Sequence, residues 1–159
     1  MKLYVTQEKT WKERFTVTDE QGQMRYRVEV KLRPTLRRKL LVYDMFDREV
    51  AVVQQKMVLL MRKYFVSREG KPSVEIREKW PWGQKYEVKQ MNWSITNTRE
   101  PYYTYETVIR EAGIPIVRIT KPGSDVYPRY ELDFLKPADV IIAIITPIVI
   151  EYMETDEHN

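Results

Sequence analysis

The chain has no cysteine and only one histidine among its 159 residues. The missing cysteine excludes disulfide staples, thiolate nucleophiles and cysteine-ligated metals together, and it fits a reducing compartment. The one histidine, His158, falls in Glu154-Thr-Asp-Glu-His-Asn159, which reads as a polar acidic tail, so a histidine-based triad or metal site is not expected. That tail holds Glu154, Asp156 and Glu157 but lacks the spacing and the turn glycine of a calcium loop. The five glycines are scattered singly at turn-like places. With neither a Gly-x-Gly-x-x-Gly nor a Gly-x-x-x-x-Gly-Lys run, nucleotide binding by those loops is excluded. Paired carboxylates occur at Asp19/Glu20 and at Asp44/Asp47, but both pairs fall on expected turns, where aspartate serves the backbone. No catalytic residue, metal or cofactor is therefore expected, and the chain reads as a non-enzymatic protein. Its first residues, Met1-Lys-Leu-Tyr-Val-Thr-Gln-Glu-Lys9, contain no apolar stretch long enough for a signal peptide, so the expected location is cytoplasmic.

What is present is an ordinary globular composition, 43% hydrophobic and 31% charged, in a length that closes a real core. A single domain over residues 1–153 is expected, with 154–159 as the tail. The formal charge of +4 with a pI near 9.2 favours anionic contacts. It falls short of the dense basic clustering of a dedicated nucleic-acid binder.

The most distinctive stretch is Asp139-Val-Ile-Ile-Ala-Ile-Ile-Thr-Pro-Ile-Val-Ile-Glu-Tyr-Met153. Between Val140 and Ile150 it carries no charge, and its apolar side chains fall on every face of a helix, the pattern of a segment buried all round. At roughly 14 residues it is too short to span a bilayer, which needs about 20, so the rest of the chain must wrap it. Asp139 is placed to cap the first turn. Pro147 should kink or end a helix, and the many β-branched residues leave a buried strand as the alternative.

The remainder reads as repeated hairpins. Phe15-x-Val17, a turn at Asp19-Glu-Gln-Gly22 and Tyr26-x-Val28-x-x-Lys31 form the first. Leu40-x-Val42, a turn at Met45-Phe-Asp-Arg48 and Ala51-x-Val53-x-x-Lys56 form the second. Tyr64-x-Val66, a turn at Arg68-Glu-Gly70 and Val74-x-Ile76-x-x-Lys79 form the third. Such regular recurrence signals repeated supersecondary units. Strict alternation over Met24–Val30 gives each hairpin one dry and one wet face. Further strands follow at Tyr86-x-Val88, Asn92–Thr96, Tyr103–Tyr105, Ile114–Thr120 and Tyr127–Asp133, and with Leu3–Gln7 the total is about twelve.

About twelve antiparallel strands with dry and wet faces are best closed into a barrel, which removes the edges. A barrel wider than about eight strands cannot fill its own lumen with side chains. A wall of six to eight residues per strand stands about 20 Å high, and fourteen helical residues span about 21 Å. The expected fold is a mainly β (α+β) closed antiparallel barrel of about twelve strands around a central hydrophobic C-terminal helix, in a dry lumen.

Glu78-Lys-Trp-Pro-Trp-Gly-Gln-Lys-Tyr-Glu-Val88, the tandem hairpins each closing on a lysine and the apolar C-terminal segment resemble the LURP-one-related proteins of the Tubby C-terminal-like superfamily. Phospholipid scramblases are more distant relatives. The resemblance covers residues 2–153 and implies a twelve-stranded barrel around a central C-terminal helix. It also implies a binding role at phospholipid headgroups or membranes, since Tubby domains bind phosphoinositides through basic side chains on the barrel wall. No Tubby lipid-binding motif maps residue by residue onto this chain, so that activity does not transfer with the fold.

The candidate site is a basic rim. Arg33-Pro-Thr-Leu-Arg-Arg-Lys39 places Arg33, Arg37, Arg38 and Lys39 in the connection between the first two hairpins, and Arg62-Lys63 holds the corresponding place before the third. On a barrel these connections project from one end. Each basic residue near an anionic membrane contributes about 1 kcal/mol, enough together for weak peripheral attachment. Tyr26, Tyr64, Tyr86 and Trp93 fall on core-facing positions rather than on a base-stacking surface. The expected partner is an anionic phospholipid or membrane surface; the alternatives are a protein-interaction or regulatory scaffold and weak nucleic-acid binding.

Overall fold

The computed structural model describes residues 1–8, 13–32, 37–58, 61–79, 85–98, 105–121 and 129–157; of residues 57, 58, 61, 156 and 157 it describes the backbone alone. One half of the wall is β1 (Lys2–Gln7), β2 (Arg14–Thr18), β3 (Met24–Leu32), β4 (Arg38–Asp44), β5 (Glu49–Val58) and β6 (Met61–Arg68). The other half is β7 (Lys71–Glu78), β8 (Lys85–Val88), β9 (Trp93–Thr98), β10 (Tyr105–Glu111), β11 (Ile114–Lys121) and β12 (Arg129–Phe134). Each strand pairs antiparallel with its sequence neighbours, and β12 closes on β1 with Val5 opposite Tyr130. The edges are gone, as the closure argument requires.

Alternation sets the core. Val5, Val17, Val28, Leu40, Val42, Val53, Tyr64, Val66, Ile76, Ile109, Ile119 and Leu132 have no exposed surface and point into the lumen. Tyr86 and Trp93 are buried with them, while Tyr26 packs against the core partly buried. These rings therefore fill the interior and do not form a stacking platform.

The lumen is filled by α1 (Val140–Glu157). Ile142, Ala143, Ile144, Ile145, Val149 and Ile150 are fully buried, so the segment is helix and not the alternative strand. Asp139 caps it: its Oδ1 accepts from the Ile142 amide at 3.2 Å. Pro147 lies inside the helix without ending it. A mid-helix proline costs about 3 kcal/mol, whereas each buried Ile or Val contributes about 2 kcal/mol, so burial on all sides prevails. Beside it the Thr146 hydroxyl donates to the Ile142 carbonyl at 2.7 Å, satisfying a polar group in the driest part of the lumen. The helix continues to Glu157, through the first four residues of the 154–159 stretch read as a polar tail.

The up-and-down order gives the barrel two unlike ends. The short connections β2–β3, β4–β5, β6–β7, β8–β9 and β10–β11 share one end with the start of α1; we call it the turn end. Gly22 takes φ +79° there, and the Asp19 carboxylate accepts from the Gln21 and Gln23 amides at 2.9 and 3.0 Å. The ends of β3, β5 and β7 and the starts of β4, β6 and β8 lie at the opposite end, the mouth, where α1 finishes. Arg33, the Trp80-Pro-Trp82 run, Tyr103, Tyr127 and His158 lie outside the described residues.

Candidate functional site

The mouth carries two sets of charged residues, separated by strand parity. A side chain two positions from an inward residue points inward, and one an odd number away points out. Arg38, two before Leu40, and Arg62, two before Tyr64, face the lumen and meet the end of α1. The Arg38 guanidinium stacks on the Tyr152 ring at 4.1 Å, and its backbone amide donates to Gln55 Oε1 at 3.0 Å. Arg62 donates to the Met153 carbonyl, a cation placed where the helix dipole favours it.

The last turns of α1 are tied to the wall through polar side chains. Glu154 accepts from Asn97 and from the Tyr86 hydroxyl, the latter at 3.2 Å. Thr107 donates to Asn97 Oδ1 at 2.9 Å. Glu151 accepts from the Tyr130 hydroxyl at 3.1 Å, and the Tyr152 hydroxyl donates to Glu13 at 2.6 Å. Burial, and then the adjoining Glu154 carboxylate, push the Tyr86 phenol well above its usual range. Burial and the bond to Glu13 do the same to Tyr152. The lumen is thus dry along most of the helix but polar at the mouth, where a dry lumen throughout was expected. The carboxylates that α1 brings into the mouth require partners there.

The second set faces out. Lys31, Lys39, Lys56 and Lys63 sit at odd offsets from buried wall residues and cover the outer face of β3–β6 near the mouth. Lys31 lies directly opposite Lys39, and Lys56 directly opposite Lys63. Facing like charges destabilise a sheet, and the wall offsets this in part. Lys63 pairs with Glu75 at 3.1 Å, and Lys56 sits 4.2 Å from the centre of the Phe65 ring. Lys31, Arg37 and Lys39 make no ion pair among the described residues. Farther round, Arg77 pairs with Glu87 at 2.6 Å, while Lys79 and Lys85 are exposed, joined through backbone by Lys79 N to Lys85 O at 2.8 Å.

Of the six rim candidates, then, Arg37 and Lys39 remain solvent-facing, Lys63 faces out but is paired, Arg38 and Arg62 turn inward, and Arg33 lies outside the described residues. Lys31, Lys56 and Lys79 were not among those candidates. The signal for them was the repeat itself, whose closing lysine stands three residues after an inward residue and so must point out.

A cleft of about 770 Å³ adjoins this face, lined by Glu13, Arg14, Glu29, Val30, Lys31 and Arg38 among others. Arg14 bonds Glu29 at 2.8 Å and holds the Glu29 carboxyl below its ordinary range. The chemistry at hand is ionic. Among the described residues there is no group of three or more His, Cys, Asp or Glu able to hold a metal. Asp44 serves its turn by accepting from the Phe46 and Arg48 amides at 2.9 and 3.0 Å.

Among the described residues no helix is long and apolar enough to cross a membrane. Comparison with curated proteins and with solved structures returns no match. The model of one protein family, LURP-one-related, matches residues 1–150, and its Tubby-like superfamily accords with the closed twelve-stranded barrel around one helix. The chain belongs to the LURP-one-related family.

Proposed function

We propose that the barrel is a non-enzymatic binding module that holds an anionic surface, such as a bilayer containing acidic phospholipid, against the outer face of β3–β6 and the adjoining mouth. One observation carries the reading: successive hairpins place a lysine at the same outward register, Lys31, Lys56 and Lys79, with Lys39 opposite Lys31 and Lys63 opposite Lys56. A fold gains nothing from rows of facing like charges, so a feature that works against local stability points to use. The cations are spread across several strands rather than gathered round a point. That suits an extended anionic surface, to which each basic residue adds about 1 kcal/mol. The interior is occupied by α1, which fits binding at the wall rather than turnover of an enclosed substrate.

The test is co-sedimentation with neutral vesicles and with vesicles containing phosphatidylserine, at low and at moderate salt, for the wild type and for Arg37/Lys39/Lys56→Glu. Arg38 is left intact because it packs on Tyr152. Binding to the acidic vesicles alone, weakened by salt and abolished in the variant, supports the reading. Absence of binding at low salt, where attraction is strongest, overturns it. A protein-interaction role would instead survive the charge reversal.

A further inference from the structure

The turn end differs from the mouth in kind. Of the seven large apolar side chains exposed among the described residues, Met1, Met24, Met45, Phe46, Ile114 and Leu135 lie at the turn end, and only Leu32 lies at the mouth. In barrel order they form one arc, from the β10–β11 turn past β12 and β1 to the β4–β5 turn. The arc contains a projection and a recess. The projection is Asp44-Met-Phe-Asp47, with Phe46 68% exposed on a turn fixed by Phe46 N to Asp44 Oδ1 at 2.9 Å and Asp47 N to Asp44 O at 3.1 Å. The recess is a groove of about 450 Å³ lined by Met1, Phe134, Leu135, Pro137 and Ala138, with Lys136 as its charged member. Its backbone is held by Phe134 N to Met1 O at 2.9 Å and Leu135 N to Ile116 O at 2.8 Å.

We infer that two copies of this chain pair end to end through the turn end, each inserting Phe46 into the other's Met1–Leu135 groove. The chain supplies both halves of the contact. An aromatic knob, its ring 5.2 Å from the Arg48 guanidinium, stands beside Asp47, which is 76% exposed while bound to Arg27 at 2.7 Å, and the apolar groove is edged by Lys136. The geometry closes. Knob and groove share one end face, so a two-fold axis in that plane, midway between them, brings both knobs to both grooves in an isologous contact. The groove lies at β12–β1 and the knob at β4–β5, so the axis passes by β2–β3, where Met24 meets Met24 of the other copy. At this end Asp19, Asp44 and Asp47 are paired with Arg25, Arg48 and Arg27, so the arc carries both signs in balance, which favours a partner that does the same over a surface of one sign.

The full chain is examined by sedimentation velocity across micromolar concentrations, with circular dichroism to verify folding of each variant. The wild type is expected to dimerise with concentration. Phe46→Asp raises the dissociation constant by about tenfold for each knob lost, and two are lost at once. Because the chain has no cysteine, Met45→Cys/Leu135→Cys gives a clean second readout. Under mild oxidation the double variant forms a covalent dimer, and Met45→Cys alone does not. Within one chain these positions are separated by β1 to β4, about 20 Å of wall, too far for an internal disulfide. A wild type that stays monomeric, a dimer indifferent to Phe46→Asp, or failure of the double variant to cross-link overturns the inference. So does Phe46-dependent binding to neutral vesicles, which assigns the arc to a bilayer.

Discussion

Arg62 and Arg68, six residues apart on β6 and both facing the lumen, hold the two ends of the same helix. Arg68 pairs with Asp139, the residue that caps the start of α1, in an ion pair with only 8% and 16% of the two side chains exposed. Arg62 donates to the Met153 carbonyl near its end. Six strand residues span about 20 Å and the fourteen helical residues between Asp139 and Met153 about 21 Å, so one strand measures out the plug it grips.

Breaking the first of these contacts should be costly. Arg68→Met leaves Asp139 charged and nearly buried, and is expected to lower unfolding free energy by about 3 kcal/mol, near the low end for a buried pair because Asp139 keeps some solvent. Arg68→Met/Asp139→Asn should cost less than the sum of the two single changes. Urea unfolding of the four chains measures it, and additivity would deny the coupling.

The plug itself is expected to be indispensable. Ile145→Ala, at a fully buried position, should destabilise by about 2–5 kcal/mol through lost contacts and the cavity left behind. An exposed change such as Lys71→Ala should fall within about 0.5 kcal/mol of the wild type. Equal effects would mean that the helix is not packed as described.

Alkali should loosen the mouth. The phenols of Tyr86 and Tyr152 are raised above the ordinary value of 10.0 by burial and by Glu154 and Glu13 respectively. The unfolded chain therefore gives up these protons first as pH rises. Their contribution is fully present below pH 10 and is lost above it, by about 1.4 kcal/mol per pH unit for each phenol. Urea midpoints between pH 9 and 11 test this. The slope should flatten in Tyr86→Phe/Tyr152→Phe, and an unchanged slope would contradict it.

Much of this architecture could be read from local patterns. Alternation in Tyr26-x-Val28 and its later copies marked the strands, the surplus of strands demanded closure, and Val140–Ile150 had to be wrapped. The inward turn of Arg38 and Arg62 was hidden by treating each basic run as a loop, although parity with Leu40 and Tyr64 decides it. The polar mouth was harder to foresee. Asn97 and Thr107 interrupt apolar inward rows, and their purpose emerges only when α1 carries Glu154 to their level. Pro147 argued locally for a break, and burial on all sides overruled it. Phe46 looked like a turn residue, and its alignment with Met24, Met1 and Leu135 exists only once the barrel closes.

The central claim is that the position of the mouth-side lysines, and not the overall charge, binds an anionic surface. The most direct measurement is vesicle co-sedimentation at low salt for two matched variants, Lys39/Lys56→Glu on the wall and Lys71/Lys89→Glu at the turn end. Each change removes four units from a formal charge of +4, so the two proteins carry the same net charge. The account predicts that the wall variant loses binding to phosphatidylserine vesicles while the turn-end variant keeps most of it. Equal loss in both would reduce the attraction to bulk charge and contradict a defined binding face.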